Sequence, residues 1–312
     1  MKISGFSFVR NAEKLYYPVL ASINSILPIV DEMVIALGES DADDHTEDLI
    51  KAIDSEKIRI IHTKWDLQAY PNGSEYAHQT DIAKQHCEGD WLFYIQSDEV
   101  VHEKYLPAIK NRCAQLLHDE RVEGLLFGYK HFWGDYNHHI ISHAWYPKEI
   151  RIIRNDPQIH SWRDAQSFRR IPDFSGNYFQ KENTFKLKVA AVDAETYHYG
   201  WVRPPRLMQK KRISFETHFN GIEKGKEMEE NLPKRFYYGD LDRLKTFEES
   251  HPEVMKDFIR NFDWRKELDD PESKKVKHKH NKFKYRMLTA IEQNLLGGNQ
   301  IAGFKNYELV NV

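Results

Sequence analysis

The sequence predicts an α/β fold built on a mostly parallel central sheet, and two observations carry that expectation. Strand-like and helix-like patterns alternate through about the first 120 residues, the signature of βαβ units. The segment Trp91-Leu92-Phe93-Tyr94-Ile95-Gln96 is almost wholly apolar, as a parallel strand covered on both faces must be. This strand stops abruptly at Ser97-Asp98-Glu99. Two adjacent carboxylates thus lie at the carboxyl end of a buried strand, where open α/β folds place ligands and hard cations find oxygen donors.

Residues 3–9 read as the first strand, and Asn11 is placed to cap a helix carrying Leu15, Val19, Ile23 and Ile26. Residues 33–37 form a second short apolar strand. Asp44 lies three residues before Glu47, a capping-box-like opening for a helix with Leu49, Ile50 and Ile53. Residues 58–62 make a third strand, and Pro71-Asn72-Gly73 marks residues 65–73 as a loop. Ser74 then opens a helix to Cys87, and the strand ending at the acidic pair follows.

Beyond a helix over 106–118, strands at 124–132, 149–154 and 185–192 are separated by connections rich in Trp, Tyr, His, Arg and Asp. Long connections of this kind are uncommon unless they bind something. After Pro204-Pro205 the pattern turns helical and charged, acidic over 223–230 and basic over 274–286, which places a domain boundary between 202 and 203.

Composition limits the function classes. With 45 basic and 48 acidic residues the formal charge is −3, so no global field recruits nucleic acid. Cys87 and Cys113 are too few for a disulfide framework, and no basic, apolar leader opens the chain; a reducing cytoplasm is the expected compartment. No apolar run approaches the roughly 18 residues of a membrane span. Peripheral contact with the inner membrane face through Lys274-Lys275-Val276-Lys277-His278-Lys279-His280 stays open, a solvated face being the plainer reading.

Four features in order, Phe8-Val9-Arg10-Asn11, the acidic turn 40–46, Gly89-Asp90-Trp91 leading to Ser97-Asp98-Glu99, and Tyr197-His198-Tyr199-Gly200, resemble the family 2 glycosyltransferases over about residues 3–202. The resemblance implies a GT-A-type α/β/α sandwich, with residues 203–312 as a charged helical extension. It implies a transferase that moves a sugar from a nucleoside-diphosphate donor, with UDP favoured, to a hydroxyl of a glycan or glycolipid, inverting and assisted by Mn²⁺ or Mg²⁺.

Residue by residue, the resemblance places the metal on Asp98, with Glu99 and His198 as further ligands. A hard divalent ion accepts carboxylate oxygen, and a neutral imidazole suits Mn²⁺. Gln96 stands where the family has the first acidic residue of its motif, so the site has one charge fewer; its amide can still meet a ribose or a water. The nucleotide side is assigned to Arg10, Asn11, Asp44, Gln79, Asp81, Gln96, Ser97 and Arg203, with Arg206, Lys210 and Lys211 as a possible cationic clamp. Simple helix capping is the competing reading for Asn11 and Asp44, and a solvated face for the clamp.

An inverting transfer needs a base for the acceptor hydroxyl, and Asp164 in Ser161-Trp162-Arg163-Asp164-Ala165 is the candidate, with Asp173 in reserve. The aromatic segments 132–137 and 145–146 suit stacking on an acceptor sugar, or packing as a hydrophobic cover. His138-His139 and His278 with His280 lack the Cys partners of a zinc site. A nucleotidyltransferase on a related sheet would want a glycine-rich phosphate loop after the first strand, where none occurs. A non-catalytic carbohydrate- or nucleotide-binding protein remains the other alternative, kept open by Gln96.

Overall fold

The computed structural model describes residues 1–303 and 305–312. Its first half follows the alternation read from the sequence. Strands β1 (Ile3–Val9), β2 (Glu32–Gly38), β3 (Ile58–Thr63) and β4 (Trp91–Tyr94) pair in parallel, in the order β3-β2-β1-β4. Helices α1 (Val19–Ile26), α2 (Thr46–Lys51) and α3 (Ser74–Gln85) make the crossovers. The side chains of β1 alternate between two apolar layers. Ile3 and Val9 meet Val19, Ile23 and Ile26 of α1, whereas Phe6 meets Ala83 of α3 and Tyr94. A strand buried on both faces is what parallel pairing with helices above and below requires.

Past β4 the sheet changes character. The chain continues through β5 (Glu99–Val101), helix α4 (Leu106–Leu116), β6 (Gly124–Trp133), β7 (His138–Ile140), β8 (Lys148–Arg154), the hairpin β9 (Ile159–Trp162) and β10 (Ser167–Arg170), and β11 (Phe185–Trp201). Strand β8 lies antiparallel between β4 and β6, and β6 pairs in parallel with β11. Strand β11 runs to Trp201, well beyond residue 192, with irregular register between Ala191 and Glu195 and again after His198. Its far end pairs antiparallel with β5, with His198 opposite Glu99.

Two expectations about local structure are corrected. The first helix opens at Val19, because Asn11 and Tyr16 take positive φ angles of 51° and 58° and Pro18 precedes the first turn. Asn11 instead turns its side-chain carbonyl to the Asp41 N–H, at 2.8 Å. Residues 203–312 do not form a separate extension either. Met208, Phe236, Tyr238, Leu241, Phe247, Met255 and Trp264 are buried in one apolar cluster with Phe132, Trp133, Tyr197 and Tyr199. Strand β12 (Lys245–Thr246) joins β7, and β13 (Tyr307–Leu309) joins β11, so the last third of the chain completes the sheet. Among the described residues no helix is long and apolar enough to cross a membrane.

Candidate active site

The carboxyl ends of β1, β4 and β11 converge under helix α5 (Pro205–Asn220). The β5 to β11 pairing brings His198 beside Asp98: the Tyr199 N–H donates to the Asp98 carbonyl at 2.8 Å, and His198 Nε2 stands 3.7 Å from Asp98 Oδ2. Gly200 leaves room for both, since a Cβ there would fall on His198 Nε2 and Asp98 Oδ2. The third group is a lysine from α5. Lys211 Nζ donates to Asp98 Oδ2 at 3.0 Å and to the Gly200 carbonyl at 2.8 Å.

Lys211 and Arg203 both sit over the Tyr17 ring, with Nζ and Cζ at 5.0 and 4.5 Å from its centroid. Arg203 is fully buried, and none of its three guanidinium nitrogens has a hydrogen-bond partner among the described residues. Burial disfavours the charged form of Asp98, but Lys211, His198 and Arg203 outweigh it and hold the carboxyl well below the usual range. Burial and Arg203 pull Lys211 down to about 8 against the opposing effect of Asp98. Those two directions are what a buried group with more cations than anions gives.

His198 is oriented from behind by a residue the sequence reading passed over. His131 Nε2 donates to the Tyr146 carbonyl at 2.9 Å, and its Nδ1 stands 3.2 Å from His198 Nδ1. Burial, aided by His198, keeps His131 well below its ordinary pKa, hence neutral. Its Nδ1 is then an acceptor, and the proton between the rings belongs to His198 Nδ1. The two rings meet because His131 and His198 are register partners on β6 and β11.

Glu99 does not join this group. Its carboxylate takes Arg151 Nε at 2.8 Å and Nη2 at 2.5 Å, and accepts from the Tyr129 hydroxyl, all buried. Gln96 turns its amide to the Tyr94 hydroxyl at 3.2 Å and the Ala165 carbonyl at 3.1 Å. Asp98 and His198 facing each other are what a divalent ion would bridge, yet the surroundings do not fit one. Among the described residues no three His, Cys, Asp or Glu side chains are grouped to hold a metal, and an ammonium already rests on the sole carboxylate, with a second buried cation nearby.

Asp164 lies in a cavity of about 370 Å³ lined by Asn72, Trp162, Arg163, Gln166 and Phe219. Its neighbours Arg163 and Ala165 have φ of 58° and 60°, left-handed conformations that non-glycine residues adopt only when held there. Three bonds hold them: Gln96 to the Ala165 carbonyl, Arg151 Nη1 to the Gln166 carbonyl at 3.1 Å, and the Arg163 N–H to the Tyr178 carbonyl at 3.0 Å. Burial raises the Asp164 carboxyl above its ordinary pKa, opposed by its own backbone N–H and by Arg163. Burial raises the Tyr76 hydroxyl as well, and Asp164 and Asp98 both push it further. Helix α5 covers the Asp164 cavity, its His218 Nδ1 against Tyr76 at 2.6 Å and its Phe219 ring, part of the lining, over Gly73.

The other assigned residues are engaged in contacts of their own. Arg10 lies over the Trp65 ring and donates to the Glu39 carbonyl at 2.9 Å; Ser97 Oγ donates to the Phe8 carbonyl at 3.3 Å. Asp44 accepts from the Lys14 and Thr46 N–H groups at 3.0 Å each, a capping role. Gln79 bonds Glu75 at 2.6 Å, and Asp81 fastens β9 through His160 and the Ser161 N–H. Asp173 is exposed and meets Asn183 at 3.3 Å. Phe132, Trp133 and Tyr136 are core, and His278 and His280 pack against Trp133.

No protein-family model matches this sequence, and no curated protein does. Partial likenesses to solved structures exist. S. aureus TarS shares 16% identity over 70% of this chain and 39% of its own, with a TM-score of 0.39. TarS 1-349 in complex with UDP shares 15% over 70% of this chain and 65% of its own, at 0.35. Glucosyl-3-phosphoglycerate synthase from Mycobacterium tuberculosis, in complex with Mn²⁺, UDP and glucosyl-3-phosphoglycerate, shares 22% over 41% of this chain and 44% of its own, at 0.29. The chain therefore spans less than half the length of the first TarS chain and of the synthase. On its own strand order, four parallel strands β3-β2-β1-β4 continued by antiparallel β8 and closed by β6 and β11, with the acidic residue at the end of β4, the chain has a GT-A-type fold.

Proposed function

We propose that this protein is a glycosyltransferase that passes a sugar from a nucleoside-diphosphate donor to a hydroxyl of a glycan or glycolipid with inversion. One arrangement supports the reading above all. A cation-rich group around Asp98 lies at the crevice outside the carboxyl end of β4, and Gln96, two residues before it, holds the loop of Asp164, a half-buried carboxylate that lines a cavity. Ligands of open α/β sheets bind in that crevice.

In this reading the donor diphosphate lies against Lys211 and Arg203, whose uncommitted N–H donors match phosphate oxygens. The ionised Asp164 takes the acceptor proton as its oxygen bonds to the anomeric carbon. The bond from that carbon to the diphosphate oxygen breaks, and its electron pair leaves with the nucleoside diphosphate. Cations fixed beside the departing group stabilise charge that develops only in the transition state. A UDP-linked donor is the first to try.

The test is release of nucleoside diphosphate from a panel of UDP-, GDP- and dTDP-sugars, with and without acceptor glycans. Turnover in the native protein and its loss by about 10²- to 10⁴-fold in Asp164→Asn are expected for removal of a general base. Tight donor binding with no turnover under any condition would instead favour a binding protein.

A further inference from the structure

We propose that Lys211 stands in for the divalent cation, so that two tethered side chains, Lys211 and Arg203, neutralise the donor diphosphate and the protein works without metal. The inference rests on the glycosyltransferase reading and departs from the metal that the family resemblance implies.

Charge and donor inventory carry it. A divalent ion at this strand end would need the Asp98 carboxylate, but its Oδ2, the oxygen nearest His198 Nε2, already accepts from Lys211 at 3.0 Å, and the ammonium is anchored again at the Gly200 carbonyl at 2.8 Å. The two side chains that would have supplied more negative charge are elsewhere. Glu99 is consumed by Arg151 and Tyr129, and position 96 is a neutral amide turned toward Ala165. One carboxylate faces two cations, which leaves a positive charge uncompensated. A divalent ion would add to it, whereas a diphosphate would balance it.

Hydrogen bonding points the same way. An ammonium has three donors, and Lys211 uses one on Asp98 and one on Gly200. Arg203 has five and uses none among the described residues, although it is fully buried over Tyr17. Buried donors without acceptors are rare in native proteins, and a whole guanidinium left so calls for an acceptor-rich partner. The oxygens of a diphosphate are such a partner, reached when α5 lifts from Tyr76 and Gly73. Because Lys211 and Arg203 are on one segment, the cations and the cover would close together.

The experiment is calorimetric titration of the full chain with UDP, GDP, dTDP and ADP, once with EDTA and once with Mn²⁺. At least one nucleotide is expected to bind in EDTA with a Kd within about twofold of that in Mn²⁺. Lys211→Met should weaken that binding at least tenfold with no recovery on adding Mn²⁺, while Lys211→Arg should retain most of it. Binding by the native protein that disappears in EDTA and returns with Mn²⁺ would overturn the proposal and leave a metal-dependent glycosyltransferase. Because this comparison uses the native chain, it stands even if the Lys211 variants misfold. Failure of every nucleotide in both conditions would overturn the proposal together with the function it rests on.

Discussion

Gln96 Nε2 donates to the Ala165 carbonyl across 3.1 Å, so the side chain that departs from the expected acidic motif reaches over and holds the loop carrying Asp164. That loop is strained on both sides of Asp164, at Arg163 and Ala165, and would relax if released. An amide is the fitting residue type: it donates to the carbonyl, which a carboxylate in its ionised form cannot do. Gln96→Ala and Gln96→Asp should both lower kcat by about 10- to 100-fold, the scale of a misplaced catalytic group, with little change in donor affinity. Steady-state kinetics separates the two parameters. A large loss of donor affinity with kcat unchanged would assign Gln96 to the nucleotide instead.

Glu99 should prove a structural residue. It and Arg151 form a fully buried ion pair on which the Gln166 carbonyl also depends. Removing one partner strands the other charge, which costs about 3–5 kcal/mol. Glu99→Gln and Arg151→Met are expected to fall in that range by urea denaturation, and folded Glu99→Gln should bind nucleotide like the native chain. A ligand role for Glu99 would show the reverse pattern, with binding lost and stability kept.

The chain made the first sheet half legible because each parallel strand is a short apolar run between turn residues, and local pattern suffices to find such a run. Position 98 was legible for the same reason, as the point where a buried strand meets polarity. What local pattern does not carry is which distant strands lie side by side. His131 escaped notice because its importance comes from register with His198, sixty-odd positions on, and neither residue alone carries that information. Lys211 was readable as one of several cations after Tyr197-His198-Tyr199-Gly200, but its seat on Asp98 follows from the direction of α5. The charged final third read as an extension because its apolar residues, Tyr238, Trp264 and Met255 among them, are spaced by polar turns; only a three-dimensional cluster with Phe132 and Tyr199 joins them.

The His131 relay yields a spectroscopic prediction. With Nε2 of His131 bonded to the Tyr146 carbonyl, the proton between the two rings is on His198 Nδ1. Nitrogen-15 NMR of the imidazoles should show that proton on His198 Nδ1. In His131→Phe the lock is absent, the tautomer should become mixed, and turnover should drop about tenfold, as when a partner orienting a functional histidine is lost. A native His198 protonated at Nε2 alone would show that the relay runs otherwise.

Asp164 should leave opposite marks on activity and on stability. Burial raises its carboxyl above the ordinary value, chiefly by penalising the ionised form. A general base must be ionised, so kcat/KM should fall as the pH drops through this raised pKa, with the acid limb at a higher pH than an ordinary aspartate would give. For folding the sign is reversed. A carboxyl whose folded pKa exceeds its unfolded one binds protons more tightly when folded, so its favourable contribution is complete below the unfolded pKa and is lost as pH rises through the folded pKa. At neutral pH the ionised Asp164 therefore weakens the fold. Asp164→Asn removes the half-buried charge, and should melt at a higher temperature than the native protein at pH 7 while losing turnover. Below both pKa values, where native Asp164 is neutral too, the stability gap should close. A variant equally stable at both pH values would mean that the carboxylate is solvated, and the base would then titrate where an ordinary aspartate does.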